Sequence, residues 1–150
     1  MNRHAIFAAL LAIPLAVAAC SGTGGALAPA SSRTSSSSSA GATQTSEGGG
    51  VTVVASWPGT TAGAMFDVKL DTHSVDLDGL DLSTAVLGND RGETLHARSW
   101  AAPKGGHHRE GALSFDGDAS KFFTGAKWIE LVIAGVGDTS ERTFRWAIGS

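Results

Sequence analysis

Cysteine is nearly absent from this chain, since Cys20 is the only one among 150 residues. A single cysteine excludes a disulfide within the chain. A folded domain must therefore rest on its hydrophobic core, and a segment of about 100 residues is long enough to bury one. The total length allows one ordinary domain with some additional segments.

Basic residues are also scarce. The chain has 11 Lys and Arg against 14 Asp and Glu, which gives a net charge of −3. No basic stripe with interleaved aromatic residues occurs, so nucleic acid is not expected as a partner. The mild negative charge also disfavours electrostatic docking on anionic lipid.

Catalytic signatures are missing from the sequence. There is no Gly-x-Ser-x-Gly elbow and no glycine-rich phosphate loop. Serine, histidine and aspartate are all present, but no motif places a nucleophile beside an Asp-His pair. The sequence therefore predicts a binding protein and not an enzyme.

The first twenty residues have the features of a secretory signal. Arg3 supplies a positive start, and residues 5–17 form an apolar run shorter than the roughly 20 residues of a membrane span. The run ends in Val17-Ala-Ala-Cys20, which resembles the lipobox of bacterial lipoproteins. The resemblance implies a signal peptide at residues 1–19, cleaved before a lipid-modified Cys20. The alternative is an ordinary signal peptide with an incidental cysteine.

The lipobox resemblance also implies a location. Several acyl chains on one residue make a stable anchor, so we expect an extracytoplasmic protein attached to a membrane through Cys20. The sequence does not indicate whether this is the cell membrane or an outer membrane. Residues 20–50 are rich in Ser, Gly and Ala and predict a disordered tether with a reach of about 30 Å.

Residues 51–150 have the pattern of an all-β domain. Apolar residues alternate with polar ones, turn residues recur at regular intervals, and no window has a helical period. We predict an immunoglobulin-like β-sandwich of about seven to eight short strands, with a small barrel as the alternative. The strand predictions, from alternating side chains, are residues 51–57, 66–71, 85–87, 95–100, 113–115, 128–134 and 143–148. Residues 116–126 are predicted as a polar connection, with Phe122 and Phe123 turned inward.

The alternation changes phase once, between Leu70 and Val75. A shift of one residue reverses every side chain, so a bulge, a turn or a corner between sheets is expected near His73-Ser74.

Two segments contain the candidate binding chemistry. The first is Asp71-Thr-His-Ser-Val-Asp76, and the second is Trp100-Ala-Ala-Pro103-Lys-Gly105-Gly106-His107-His108. Imidazole is a frequent ligand of copper and zinc, so His73, His107 and His108 are candidate ligands, with Asp71 or Asp76 as a carboxylate donor. The spacing matches no closed zinc motif, and histidines that merely order the loop are the alternative.

The same region suggests a less favoured calcium site. Asp76, Asp78 and Asp81 surround Gly79, as carboxylates surround a glycine turn in calcium loops. The order differs from an EF-hand, and aspartates that face water beside an Asp78-Gly79 turn explain the pattern as well.

Together, the DTHSVDLD segment from Asp71 and the WxxPxGGHHxxGxLxF segment from Trp100 are similar to extracytoplasmic β-domains of prokaryotes. The resemblance covers residues 51–150 and implies no activity and no catalytic residues. It does imply that the two segments form one paired feature. The leading function predicted is a transition-metal site, copper or zinc, on a tethered binding module. The alternative is recognition of an envelope protein through a loop that contains Trp100, Pro103, Gly105 and Gly106.

Overall fold

The computed structural model describes residues 38–39 and 41–149. The predictions for the signal peptide, for Cys20 and for the tether up to residue 37 lie outside these residues. Nine strands lie in the described part: β1 Ser38–Ser39, β2 Thr43–Gly48, β3 Val51–Ser56, β4 Met65–Thr72, β5 Val86–Asn89, β6 Thr94–Ala101, β7 His108–Phe115, β8 Trp128–Val136 and β9 Thr139–Ala147.

The strands form two layers that share β6. The order is β1-β9-β8-β5-β6-β7-β4-β3-β2, and every pair is antiparallel except β1 with β9. The first part of β6 pairs with β5, and the register shifts between Ala97 and Ser99, after which the strand continues along β7. A bulge of this kind bends a strand from one sheet into the next. The predicted all-β sandwich is therefore confirmed, with a barrel-like turn at β6.

The core lies between the two layers and follows the predicted alternation. Val51, Val53 and Ala55 are buried on β3, and their neighbours are half-buried. Its centre is aromatic: Phe66 lies 5.2 Å from Trp146 between ring centroids, and Trp57 lies 5.5 Å from Phe123. Each such buried side chain contributes roughly 1.5–3 kcal/mol, which is how a domain without disulfides is held together.

The domain begins earlier than the sequence predicted. Residues 43–48, assigned to the disordered tether, instead form β2 and pair with β3 from Thr43↔Ser56 to Gly48↔Val51. No side chain of β2 is fully buried, so its sequence has no hydrophobic alternation to reveal it. The strand is held by its backbone ladder and by polar contacts, including the Trp146 Nε1 that donates to the Ala42 carbonyl at 2.7 Å.

Side chains join β2 to the facing edge of β9. The Gln44 amide donates to the Arg145 carbonyl at 2.7 Å. The buried Arg142 guanidinium donates to the carbonyls of Ser46 at 2.9 Å and Gly48 at 2.6 Å. Burial lowers the pKa of Arg142, and these carbonyl contacts offset part of the cost of removing its charge from water.

One short helix occurs within the predicted polar connection. It is α1, Ala119–Phe123, and the Asp118 side chain caps its start by accepting from the Lys121 N–H at 3.1 Å. Five residues are too few to produce a helical period, which explains why the sequence pattern missed the helix. Phe122 and Phe123 are buried, as predicted.

Candidate functional site

The two segments singled out from the sequence meet in the structure, at the end of the sandwich where β4 ends and β7 begins. Asp71 is the register partner of His108, and the Thr72 N–H donates to the His107 carbonyl at 3.0 Å. The phase change after Leu70 is a turn, because β4 ends at Thr72 and its hydroxyl accepts from the N–H groups of Ser74 and Val75. The expectation of a paired feature is confirmed.

His108 and Asp71 form a pair on the outer face of the sheet. The His108 Nδ1 is hydrogen-bonded to Asp71 Oδ1, and the Lys69 ammonium lies 3.1 Å from Asp71 Oδ2. The hydrogen bond from His108 is the main cause that lowers the pKa of Asp71, partial desolvation opposes it, and Lys69 adds to the lowering. Among the described residues, no serine or threonine hydroxyl is hydrogen-bonded to His108.

The other predicted metal ligands are not gathered around this pair. His73 and His107 are exposed, and Asp76 accepts the Asp78 N–H at 2.9 Å. Within residues 41–149, no group of three or more His, Cys, Asp or Glu side chains could hold a metal ion. The local reason is strand geometry, because adjacent residues point to opposite sides and His108 is turned toward Asp71.

Asp78 connects the two loops. Its Oδ1 accepts from the N–H groups of Gly105 at 2.9 Å and Gly106 at 3.1 Å. Gly106 has a φ of 55°, a left-handed conformation that suits glycine. Asp81 accepts the Ser83 N–H at 2.7 Å. The aspartates of this region thus order backbone turns, and they do not converge as the suggested calcium loop requires.

Arg109 lies at the centre of this site, and the sequence pattern did not point to it. It is only 6% exposed, and it donates to the carbonyls of Leu77 at 2.8 Å and Leu80 at 2.6 Å on one loop. On the other loop it donates to Ala102 and Pro103, both at 3.0 Å. The sequence held one signal for this residue, its spacing along the strand. Arg109 stands an even number of residues before Leu113 and Phe115, so it shares the inward face of β7 with them.

Trp100 packs against this arginine. The Arg109 guanidinium carbon lies 4.5 Å from the Trp100 ring centroid, a cation–π contact. The Trp100 Nε1 donates to the Gly111 carbonyl at 3.2 Å. Arg109 therefore fixes the indole and both loops with one side chain, and the predicted packing of Trp100 at this loop is found.

A groove of about 480 Å³ opens beside these contacts. One wall is the loop after β4, the other is the end of β6, and Lys104 lies at the margin. The lining residues are Asp78, Gly79, Leu80, Asp81, Ser83, Arg98, Ser99, Trp100, Lys104 and Arg109. The lining thus combines acidic side chains of the loop after β4 with basic side chains and one indole.

The chain matched no known protein family, no curated protein and no solved structure. In the described residues, the helices are too short and too polar to span a bilayer.

Proposed function

We propose that this protein is a lipid-anchored envelope protein whose β-sandwich recognises another polypeptide in the groove between residues 78–83 and 98–104. The observation that carries the proposal is the pair of clamps, Asp78 and Arg109, which hold the two flanking loops in one arrangement while the groove stays open to solvent. A site ordered before binding loses less conformational entropy when its partner arrives.

The chemistry of the walls suits a polypeptide with both signs of charge. Asp81 uses one carboxylate oxygen for the Ser83 N–H, and its exposed side chain remains available for a basic group. Lys104 lines the same groove and offers positive charge. Charges arranged in this way select a partner by complementarity, and tryptophan and arginine are frequent centres of binding energy.

The anchor in this proposal is Cys20, in the lipobox-like motif from Val17. Lipid on this residue would place the sandwich outside the cytoplasm and attached to a membrane. In the producing cell, we expect a Cys20→Ala chain to lose incorporation of a labelled fatty acid and to leave the membrane fraction. Retention of the label would contradict lipidation at this residue.

Metal binding at His73, His107 and His108 has less support, because only His108 and Asp71 come together. Added copper or zinc should leave the melting temperature of the full-length chain unchanged, with His108→Ala as the control variant. A rise in melting temperature that is stoichiometric with added metal, and that His108→Ala abolishes, would instead support metal binding as the primary function.

The recognition proposal is tested with a library of random linear peptides displayed on phage and selected on the full-length chain. Ser83 lines the groove, whereas its exposed neighbour Thr84 does not. Ser83→Trp should therefore obstruct the groove, and Thr84→Trp is the matched control. We expect selected peptides to lose at least about tenfold in affinity for Ser83→Trp, which is 1.4 kcal/mol, and to keep it for Thr84→Trp. Equal binding to both variants would contradict the proposal.

A further inference from the structure

We propose that the polypeptide bound in this groove is an extended segment that adds as a strand to the free edge of β6 at residues 98–101. This inference rests on the proposed function and specifies how its ligand is held. It assigns the main attraction to the backbone of β6, whereas the side chains of the two walls select the sequence.

The free edge results from the bulge in β6. Before the bulge, β6 pairs with β5 as far as His96, and beyond it the strand pairs with β7. No backbone hydrogen bond joins residues 98–101 to a segment other than β7 in the part of the chain that the structure describes. An antiparallel strand with one neighbour leaves the N–H and C=O groups of every second residue pointing away from it. These outward groups are a ready template for another strand.

The neighbouring loop leaves space at this edge. The loop between β4 and β5 contacts the backbone of β6 at its final residue, Ala85, whose carbonyl accepts the Ala97 N–H at 2.9 Å. Earlier in the chain, residues 78–83 diverge from β6 and form the opposite wall of the groove. Arg109 and Asp78 hold that wall through the Leu80 carbonyl and the N–H groups of Gly105 and Gly106. The groove therefore runs along a strand edge that no segment of the described chain covers.

The seam between β2 and β9 is protected by side chains, unlike this edge of β6. The facing edges of β2 and β9 are bridged by the side chains of Gln44 and Arg142. Arg98 is a charged residue of the kind that guards exposed edges. Its Nε, however, lies 3.5 Å from Asp116 Oδ1, a residue that follows β7, so its charge is directed to the paired side of β6.

The charges of the walls define the expected occupant. It is an extended segment with a basic side chain that faces Asp81 and an acidic side chain near Lys104, since each is exposed at the groove. Asp81→Asn keeps an oxygen that accepts the Ser83 N–H while it removes the charge. We expect this variant to weaken selected peptides several-fold, with an unchanged denaturant midpoint for the folded chain.

The test is a scan of backbone N-methylation on the peptides selected above, against the wild-type full-length chain. An added strand pairs with β6 through alternate amides. N-methylation at every second residue should therefore reduce affinity by tenfold or more, and N-methylation at the intervening residues should have little effect. This readout requires no variant of the protein, so misfolding of a variant does not affect it.

Each result has one meaning. Alternating sensitivity, in peptides that Ser83→Trp rejects, supports strand addition. Peptides that Ser83→Trp rejects but that show no alternation would overturn strand addition and leave groove recognition standing. Selection that yields no peptide sensitive to Ser83→Trp would overturn both.

Discussion

At the scale of single residues, Arg109 and Trp100 show how one buried charge can order the loops around a groove. The guanidinium contacts four backbone carbonyls from two loops, and no carboxylate pairs with it among residues 41–149. A planar group with five N–H donors can serve several carbonyls at once, whereas an ammonium group cannot reproduce the fork.

Arg109→Lys should therefore destabilise the fold while it keeps the positive charge. We expect a loss of roughly 2–4 kcal/mol, since a hydrogen bond to a charged group contributes about 1.5–3 kcal/mol and more than one would be lost. Urea unfolding of the full-length chain measures this loss. Arg98→Lys is the control, because the Arg98 side chain is 72% exposed and should change stability by less than about 0.5 kcal/mol. Equal effects of the two substitutions would contradict the clamp.

The Asp71–His108 pair gives stability a defined dependence on pH. His108 lowers the pKa of Asp71 below its ordinary value of 3.8, so on acidification the unfolded chain takes up this proton before the folded chain does. The stabilisation is thus fully present above pH 3.8 and is lost as the pH falls through the lower pKa of the folded state. We expect Asp71→Asn to be less stable than wild type at neutral pH and to approach wild-type stability in acid.

Urea unfolding at a series of pH values checks this expectation. Asp67→Asn is the matched control, since Asp67 lies on the same strand, is exposed, and forms no ion pair among the described residues. A deficit for Asp71→Asn that persists at the lowest pH would show that the pair does not stabilise the fold through its charge.

At the scale of elements, two hairpin turns close the seam between β2 and β9. Gly49, between β2 and β3, approaches Asp138, between β8 and β9, and the Asp138 N–H donates to the Gly49 carbonyl at 3.3 Å. A Cβ at Gly137 would lie 2.2 Å from that carbonyl oxygen, whereas a Cβ at Gly135 would meet nothing within 4 Å.

These two glycines supply a matched pair of substitutions. Both have positive φ, 62° at Gly137 and 69° at Gly135, so alanine at either position costs about 1–2 kcal/mol of backbone strain. Gly137→Ala must also displace the facing turn, and we expect it to cost roughly 1–3 kcal/mol more. Thermal unfolding of the two variants measures the difference. Equal losses would show that the turns are not docked in solution.

The strands that the sequence could predict are those with one buried face. β3, β4 and β8 show alternation because every second side chain of each strand enters the core. Val53 on β3, Leu70 on β4 and Leu131 on β8 are examples. β2 lacked this signal because its stability comes from backbone pairing and from Arg142, a residue about a hundred positions away. Long-range polar contacts of this kind leave no local pattern in a sequence.

The candidate site, like the strands, could be predicted only in part from the sequence. The two segments were identified because Trp100, Pro103 and the paired glycines and histidines are unusual together, and the structure joins those segments. The sequence could not predict how His73, His107 and His108 are arranged. The direction of each side chain depends on the strand register, such as the pairing Asp71↔His108. Arg109 was missed because the strand was predicted to begin at residue 113, whereas β7 begins at His108, so the prediction left Arg109 in the loop and not on an inward face.

At the scale of the whole molecule, the proposed anchor and the proposed groove would serve the same proposed function. A lipid on Cys20 would hold the chain at a membrane, and the described domain begins with strands that are paired into the sandwich. The groove between residues 78–83 and 98–104 would then face partners in the same compartment.

The most direct test of recognition is site-specific photo-crosslinking in the cell that produces the protein. A photoreactive residue would replace Ser83 or Lys104 at the groove, and Ser120, exposed on α1 at the other end of β6, as the control. We expect the same partner polypeptide to be joined from positions 83 and 104 and to be absent from position 120. Equal products from all three positions, or none from the groove, would contradict the proposed function.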